Sequence, residues 1–232
     1  MNNNVIRFLK PLVFLLCLLP LGVLLRQAQQ ANLGADPVAS ITHFTGNWAM
    51  YMLLLSLAIT PVRRISSKLA WLIRFRRMLG LYAFFYATLH LATYVFLFSG
   101  FDIAGAFSNL RLHDLHGIAE QWRAVWPVMV DDIQKRRFIQ VGLLAWFILF
   151  LLAITSPQWV MRKMGGKPWQ TLHRSVYAAA ALAVIHFAWT LKKGNLEWWK
   201  DGLVLAILLG LRILWSLQKR FAQGKPKVAV SR

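Results

Sequence analysis

Six stretches of the chain are nearly free of charge and close to the length a bilayer demands: roughly residues 8–25, 47–61, 78–98, 138–156, 172–191 and 199–217. A hydrocarbon layer about 30 Å thick takes about 20 residues of α-helix. Inside it every backbone N–H and C=O must be bonded within its own segment, so such runs fold as helices. The pattern predicts an all-α membrane protein, a single integral domain over residues 1–232 built as a six-helix transmembrane bundle. The second run is the short one. The first follows Arg7 and Lys10 and has the length of a signal peptide, but Gln29 and Gln30 stand where a cleavage site wants small residues. It is therefore expected to be retained as a helix.

The polar segments between the runs alternate in charge. Arg63, Arg64, Lys68, Arg74, Arg76 and Arg77 lie between runs two and three, and Arg162, Lys163, Lys167 and Arg174 between runs four and five. Arg212, Lys219, Arg220, Lys225, Lys227 and Arg232 crowd the C-terminal end, where residues 218–232 read as a basic tail. The acids Asp36, Asp102, Asp114, Glu120, Asp131, Asp132, Glu197 and Asp201 occupy the other segments. Basic loops stay in the cytoplasm, so both termini are expected there. One outer connection, residues 99–137, is long and carries Trp122 and Trp126. Its 118–130 part is expected either to lie at the membrane surface or to dock a partner.

Composition narrows the function. The chain is 58% hydrophobic with a formal charge of +19, and its basic residues sit between apolar runs rather than on a soluble module. That excludes nucleic acid as a partner and leaves membrane lipid. The single cysteine, Cys17, lies inside an apolar run, so it reads as a packing residue and no internal disulfide is possible. There is no GxGxxG, no P-loop and no Ser/His/Asp set, so nicotinamide oxidation would belong to another protein. No repeat with a period of 20 to 50 residues appears.

Histidines carry the candidate chemistry. His90, His173 and His186 fall within predicted spans, where ionisable side chains are costly and point to function. His90 lies thirteen residues after Arg77 and His186 thirteen after His173, about 20 Å of helix rise in each case. Runs three and five both start at the cytoplasmic side, so His90 and His186 are expected to face each other near the outer surface. Two imidazoles from facing helices suit b-type haem, and filling both axial positions suits electron transfer. Zinc would want three or four ligands at one level. At the inner level His173 has Arg76 or Arg77 opposite it rather than a second histidine. Two readings stand for His173: a second haem with an unusual or missing sixth ligand, or a contact to a propionate, flavin or quinone. Arg76 and Arg77 would pair with a haem propionate or a lipid phosphate. In one unbroken helix His173 and His186 would lie about 140° apart, an offset that a π-bulge would relieve. Gly80 and Gly142 would allow close approach of helices or of a macrocycle. His113, His116 and His43 read as solvated residues.

Several motifs together carry a resemblance. TPVRR (60–64), RRMLGLYAFFYATLH (76–90), DIQKRRFIQVG (132–142), LAITS (152–156), and WQTLHRSVY with the following IHFAW (169–189) span most of the chain. With these the sequence resembles the MsrQ family, haem-binding membrane subunits of bacterial periplasmic methionine sulfoxide reductase systems within the ferric-reductase-like transmembrane group. The resemblance implies an inner-membrane subunit that passes electrons, from a cytoplasmic flavin reductase or quinol, to a periplasmic molybdopterin subunit. That partner would reduce methionine sulfoxide in oxidised proteins, so the sulfoxide chemistry lies outside this chain. It implies haem b, one or two, and FMN, and it carries the family's haem histidines onto His90, His173 and His186. The chain departs from the family at Lys135-Arg136-Arg137, where KRP is usual, and in its longer outer loop. Two other readings compete: a stand-alone ferric or quinol-linked membrane reductase, and a non-redox scaffold or transporter whose histidines only bond helices together.

Overall fold

The computed structural model describes residues 3–191 and 194–223; residues 224–232 of the predicted basic tail, and the side chain of Arg220, lie outside the described residues. Among the described residues there are helices and no strands. The helices are α1 (Asn3–Gln29), α2 (Pro37–Ile65), α3 (Arg76–Thr93), α4 (Ile103–Arg111), α5 (Leu115–Lys135), α6 (Arg137–Ile154), α7 (Gln158–Met164), α8 (Gly166–His173), α9 (Val176–Thr190) and α10 (Trp198–Gln223). A 3-10 segment, Ser67–Arg74, joins α2 to α3, and α3 runs on as a π-helical turn, Tyr94–Phe98.

Four of these helices are by themselves long and apolar enough to cross a membrane: Asn4–Gln29, Arg76–Phe98, Arg137–Ile154 and Trp198–Lys219. The bundle is organised as two helix pairs. α2 packs along α3 and α6 along α9, while α3 also meets α6, and α10 closes on α2 and α9. Where α2, α3 and α9 converge, Ala83, Tyr86, Ala179 and Ala180 have no exposed surface. Three alanines there let backbones approach closely, which is how helices associate when the surroundings are themselves apolar. The outward faces are apolar too, with Leu15, Phe147, Ile207 and Leu214 all exposed. Such a surface suits lipid rather than water.

Helix starts account for several acids. Asp36 accepts a hydrogen bond from Ala39 N at 2.9 Å with Pro37 opening α2, and Asp102 and Asp114 cap α4 and α5 by accepting from Gly105 N and Gly117 N at 2.9 Å. Short acceptors at N-cap positions satisfy N–H groups that the helix cannot. α1 carries Pro11 and Pro20 inside its length. In that stretch the hydroxyls of Tyr82 and Tyr86 on α3 donate to the carbonyls of Phe14 (2.9 Å) and Cys17 (2.7 Å). Cys17 is buried in this contact, as a packing residue should be.

The structure corrects four expectations about elements. Run two, expected over 47–61, is part of a helix that begins at Pro37, because Asp36-Pro37 is a strong helix start. The outer loop 99–137 is not a loop but the helices α4 and α5, joined to α6 through the extended residue Arg136. In it Trp122 turns inward onto Phe101, with ring centroids 4.6 Å apart, while Trp126 is exposed. Run five is not one helix: Arg174 and Ser175 form a turn between α8 and α9, with the Ser175 hydroxyl donating to Leu172 O at 2.7 Å. The angle expected between His173 and His186 therefore does not apply. A π-helical turn does occur, but beyond His90 at Tyr94–Phe98 and not in run five.

Arg212 was counted among the terminal charges. It instead lies within α10 and half inside the bundle, donating to the Tyr177 hydroxyl of α9 and to the Leu57 carbonyl of α2.

Candidate functional site

His90 stands near the end of α3 and His186 near the end of α9. Their ring centroids are 5.9 Å apart and the rings are nearly perpendicular, at 80°. The expectation that these two imidazoles meet at one level agrees with this geometry.

Each ring is held the same way. His90 Nδ1 lies 3.0 Å from the Thr42 carbonyl of α2, and His186 Nδ1 lies 2.7 Å from the Phe138 carbonyl of α6. A carbonyl only accepts, so each Nδ1 carries the hydrogen and donates it. That fixes the neutral tautomer with its lone pair on Nε2, and among the described residues no hydrogen bond reaches either Nε2. Imidazole ligands of metals are oriented by just such a bond from the far nitrogen.

Glycines make room for these rings. One helical turn beyond each accepting carbonyl stands a glycine, Gly46 on α2 and Gly142 on α6. A Cβ at Gly142 would sit 2.6 Å from His186 Nδ1, and one at Gly46 would sit 3.1 Å from His90 Nδ1. Each ring turns its Nδ1 edge to its partner helix, where no side chain intervenes. Two half-sites thus follow one recipe: carbonyl, glycine four residues on, histidine from the paired helix. Their positions, 42/46/90 and 138/142/186, differ by a constant 96 residues. Among the described residues no three of His, Cys, Asp and Glu converge on one point, so the pair is a two-ligand site. Two protein ligands are what haem asks for and fewer than zinc usually takes. The residues present fit haem b.

His173 is held apart from this pair. It closes α8, stacks on Trp169 with ring centroids 3.9 Å apart, and its Nε2 lies 3.2 Å from the Thr155 hydroxyl. Trp169 Nε1 donates to the Thr155 carbonyl at 2.8 Å. His173, Arg76 and Arg77 line one cavity of about 610 Å³ between α2, α3, α6, α8 and α9. Between this cavity and the histidine pair, Phe84, Trp146 and Phe150 pack together, with Trp146 Nε1 donating to Thr88 Oγ1 at 3.1 Å. His43 is exposed; His113 takes positive φ in the turn between α4 and α5, and His116 faces Glu120 at 3.7 Å. None of these three joins the site.

Thr42, Gly46 and Phe138 escaped the sequence reading, and Gly142 entered it as a residue allowing close approach of a helix or a macrocycle. A backbone acceptor leaves no trace in side-chain type. The duplicated Leu57-Ala58-Ile59-Thr60-Pro61 and Leu152-Ala153-Ile154-Thr155-Ser156-Pro157 was the available signal. It marks α2 and α6 as equivalents, each with a glycine on the N-terminal side of the motif, Gly46 and Gly142.

Comparison with known proteins agrees with the geometry. Residues 45–184 match the family described as ferric reductase like transmembrane component. A protein of Herminiimonas arsenicoxydans, named protein-methionine-sulfoxide reductase heme-binding subunit MsrQ, is 40% identical over 91% of this chain and 87% of its own length. The protein of the same name from Xanthomonas axonopodis pv. citri is 44% identical over 84% of this chain and 78% of its own. That from Xanthomonas oryzae pv. oryzae strain MAFF 311018 is 43% identical over 86% and 80%. By the extent of these matches, the chain belongs to the MsrQ family of the ferric-reductase-like transmembrane proteins.

Proposed function

We propose that the chain is the electron-transfer subunit of a protein-methionine-sulfoxide reductase system, with haem b held between α3 and α9 by His90 and His186. The carrying observation is the pair of Nδ1-to-carbonyl bonds, which leaves two bare Nε2 atoms in a space walled by glycine. A haem bound there supplies a one-electron iron couple. His90 and His186 fix the orientation of their own rings, and the bonds to Thr42 and Phe138 make each Nε2 a better donor. With His90 and His186 both holding the haem, the site would favour electron transfer over chemistry on a small substrate. The sulfoxide reduction then falls to a partner, a periplasmic molybdopterin enzyme. Electrons enter from a cytoplasmic flavin reductase or quinol, with FMN as a further cofactor. α2 and α9 join those four apolar helices as spans, giving six crossings of the bacterial inner membrane with both ends in the cytoplasm. His173, Arg76 and Arg77 line the inner cavity, where His173 Nε2 lies 3.2 Å from the Thr155 hydroxyl.

The test is pigment. Purified protein should show the split absorption bands of reduced six-coordinate haem b. His90→Ala and His186→Ala should each reduce haem per polypeptide at least tenfold, while His173→Ala keeps most of it. Full haem content in either of the first two variants would overturn the ligand assignment.

A further inference from the structure

Three tyrosines lie along α3 and its π-helical turn, and two of them have partners. Tyr82 and Tyr86 donate to the Phe14 and Cys17 carbonyls of α1. The third, Tyr94, has a buried hydroxyl with no hydrogen-bond partner among the described residues. A buried donor left unbonded is costly, and in a native fold it calls for a ligand, a water or a role in chemistry.

The position of Tyr94 says which. It stands one turn beyond His90, and its backbone N–H donates to the His90 carbonyl. It also opens the π-helical turn Tyr94–Phe98, and single π-turns within helices are frequent at functional sites. The charges that reach its phenol are Asp132 and Arg136, at the junction of α5 and α6. Arg136 stands two residues before Phe138, whose carbonyl holds His186. The unbonded hydroxyl is therefore next in the chain to one histidine and beside the segment that anchors the other.

That junction carries surplus positive charge. Lys135 pairs with Asp131 at 2.7 Å and Arg136 Nε with Asp132 at 3.0 Å, while among the described residues Arg137 has no carboxylate partner. A guanidinium has five N–H donors in a fixed fork, so Arg136, bonded to Asp132 through Nε, can take a second carboxylate. Haem brings two propionate carboxylates, and a carboxylate set against an apolar bundle needs donors or a cation.

We infer that the Tyr94 hydroxyl and the Arg136 guanidinium hold a propionate of the haem. The inference rests on the reading that His90 and His186 are its axial ligands. Two axial imidazoles fix the iron but leave the macrocycle free to turn about the line through them. A contact at the edge of the ring removes that freedom. Tyr94 donates its O–H to a carboxylate oxygen, and Arg136 adds its charge.

The experiment uses the purified full chain, stripped of pigment and reloaded with haem b or with haem b dimethyl ester, whose propionates carry no charge. The rate at which each haem passes to excess apomyoglobin is measured for wild type, Tyr94→Phe and Arg136→Gln. Hydrogen bonds to charged groups are among the strong ones, so the wild type should lose haem b about tenfold more slowly than the ester. Tyr94→Phe should speed the loss of haem b by about tenfold and leave that of the ester unchanged. Arg136→Gln should do the same. Where it holds neither haem, Tyr94→Phe decides alone, since it removes one oxygen atom and leaves the ion pair in place. Loss of haem b from Tyr94→Phe at the wild-type rate overturns the inference. So does an equal change for the two haems, or failure to take up either, because a hydroxyl that only supports the fold does not tell acid from ester. Failure of the haem reading itself looks different: the loaded wild type would lack the split bands of six-coordinate haem b, or His90→Ala would keep them.

Discussion

Gly142 and Gly46 occupy equivalent places but tolerate a methyl group unequally. A Cβ at Gly142 would meet three atoms of the His186 ring, at 2.6, 2.8 and 3.2 Å, and that ring is pinned at its Nδ1 by Phe138. A Cβ at Gly46 would come no nearer than 3.1 Å to the His90 ring, a clash that a shift of a few tenths of an ångström relieves. Gly142→Ala should therefore displace its histidine and remove most of the haem, whereas Gly46→Ala should keep the greater part. Haem per polypeptide, measured on both purified variants, checks this; equal retention in the two would show that the glycines are not shaping the site. The histidines themselves were legible in the sequence. Charge placed the ends of the spans, and counting residues at 1.5 Å set His90 and His186 at one height. The glycines were not legible in that way, because their role depends on which helix faces which ring.

At the scale of elements, α10 is joined to the rest of the bundle by a charge that spans are expected to avoid. Arg212 donates to the Tyr177 hydroxyl of α9 and the Leu57 carbonyl of α2, and its guanidinium lies over the Tyr177 ring, 4.9 Å from the centroid. Hydrogen bonds between membrane helices are worth roughly 0.6 kcal/mol each on average. Arg212→Leu, which loses both bonds but keeps an apolar stem, should destabilise the bundle by about 1 kcal/mol, twice that figure. Unfolding of the purified protein in a denaturing detergent series reads this, and no change would mean that α10 is held by packing alone. Sequence placed the long helices because periodicity and length are enough for a run of 18 apolar residues. It missed the start of α2, the helices α4 and α5, and the break between α8 and α9. Those depend on caps at Asp36, Asp102 and Asp114 and on a turn at Arg174–Ser175, which average hydropathy does not see.

The whole molecule is two helix pairs of common design, α2 with α3 and α6 with α9, set side by side. At the histidine end the halves agree: 42, 46 and 90 answer 138, 142 and 186. At the other end they part. In the second half Thr155 meets His173, whereas the residue 96 positions before His173 is Arg77. One end thus brings two imidazoles together from facing helices, and the other presents positive charge. This polarity fixes which way the molecule must sit if electrons are to leave from the histidine end towards a periplasmic partner. The arginines would then face the cytoplasm, as the distribution of basic residues requires. Cysteine labelling tests it, because Cys17 is only 4% exposed and leaves a low background. Ser108→Cys, on the exposed side of α4, should react with a membrane-impermeant maleimide in spheroplasts, whose outer face is open to the reagent. Lys163→Cys, on α7, should react only after the membrane is broken. Labelling of Lys163→Cys in sealed spheroplasts, with Ser108→Cys protected, would invert the bundle and put the histidine pair on the wrong side to serve a periplasmic partner.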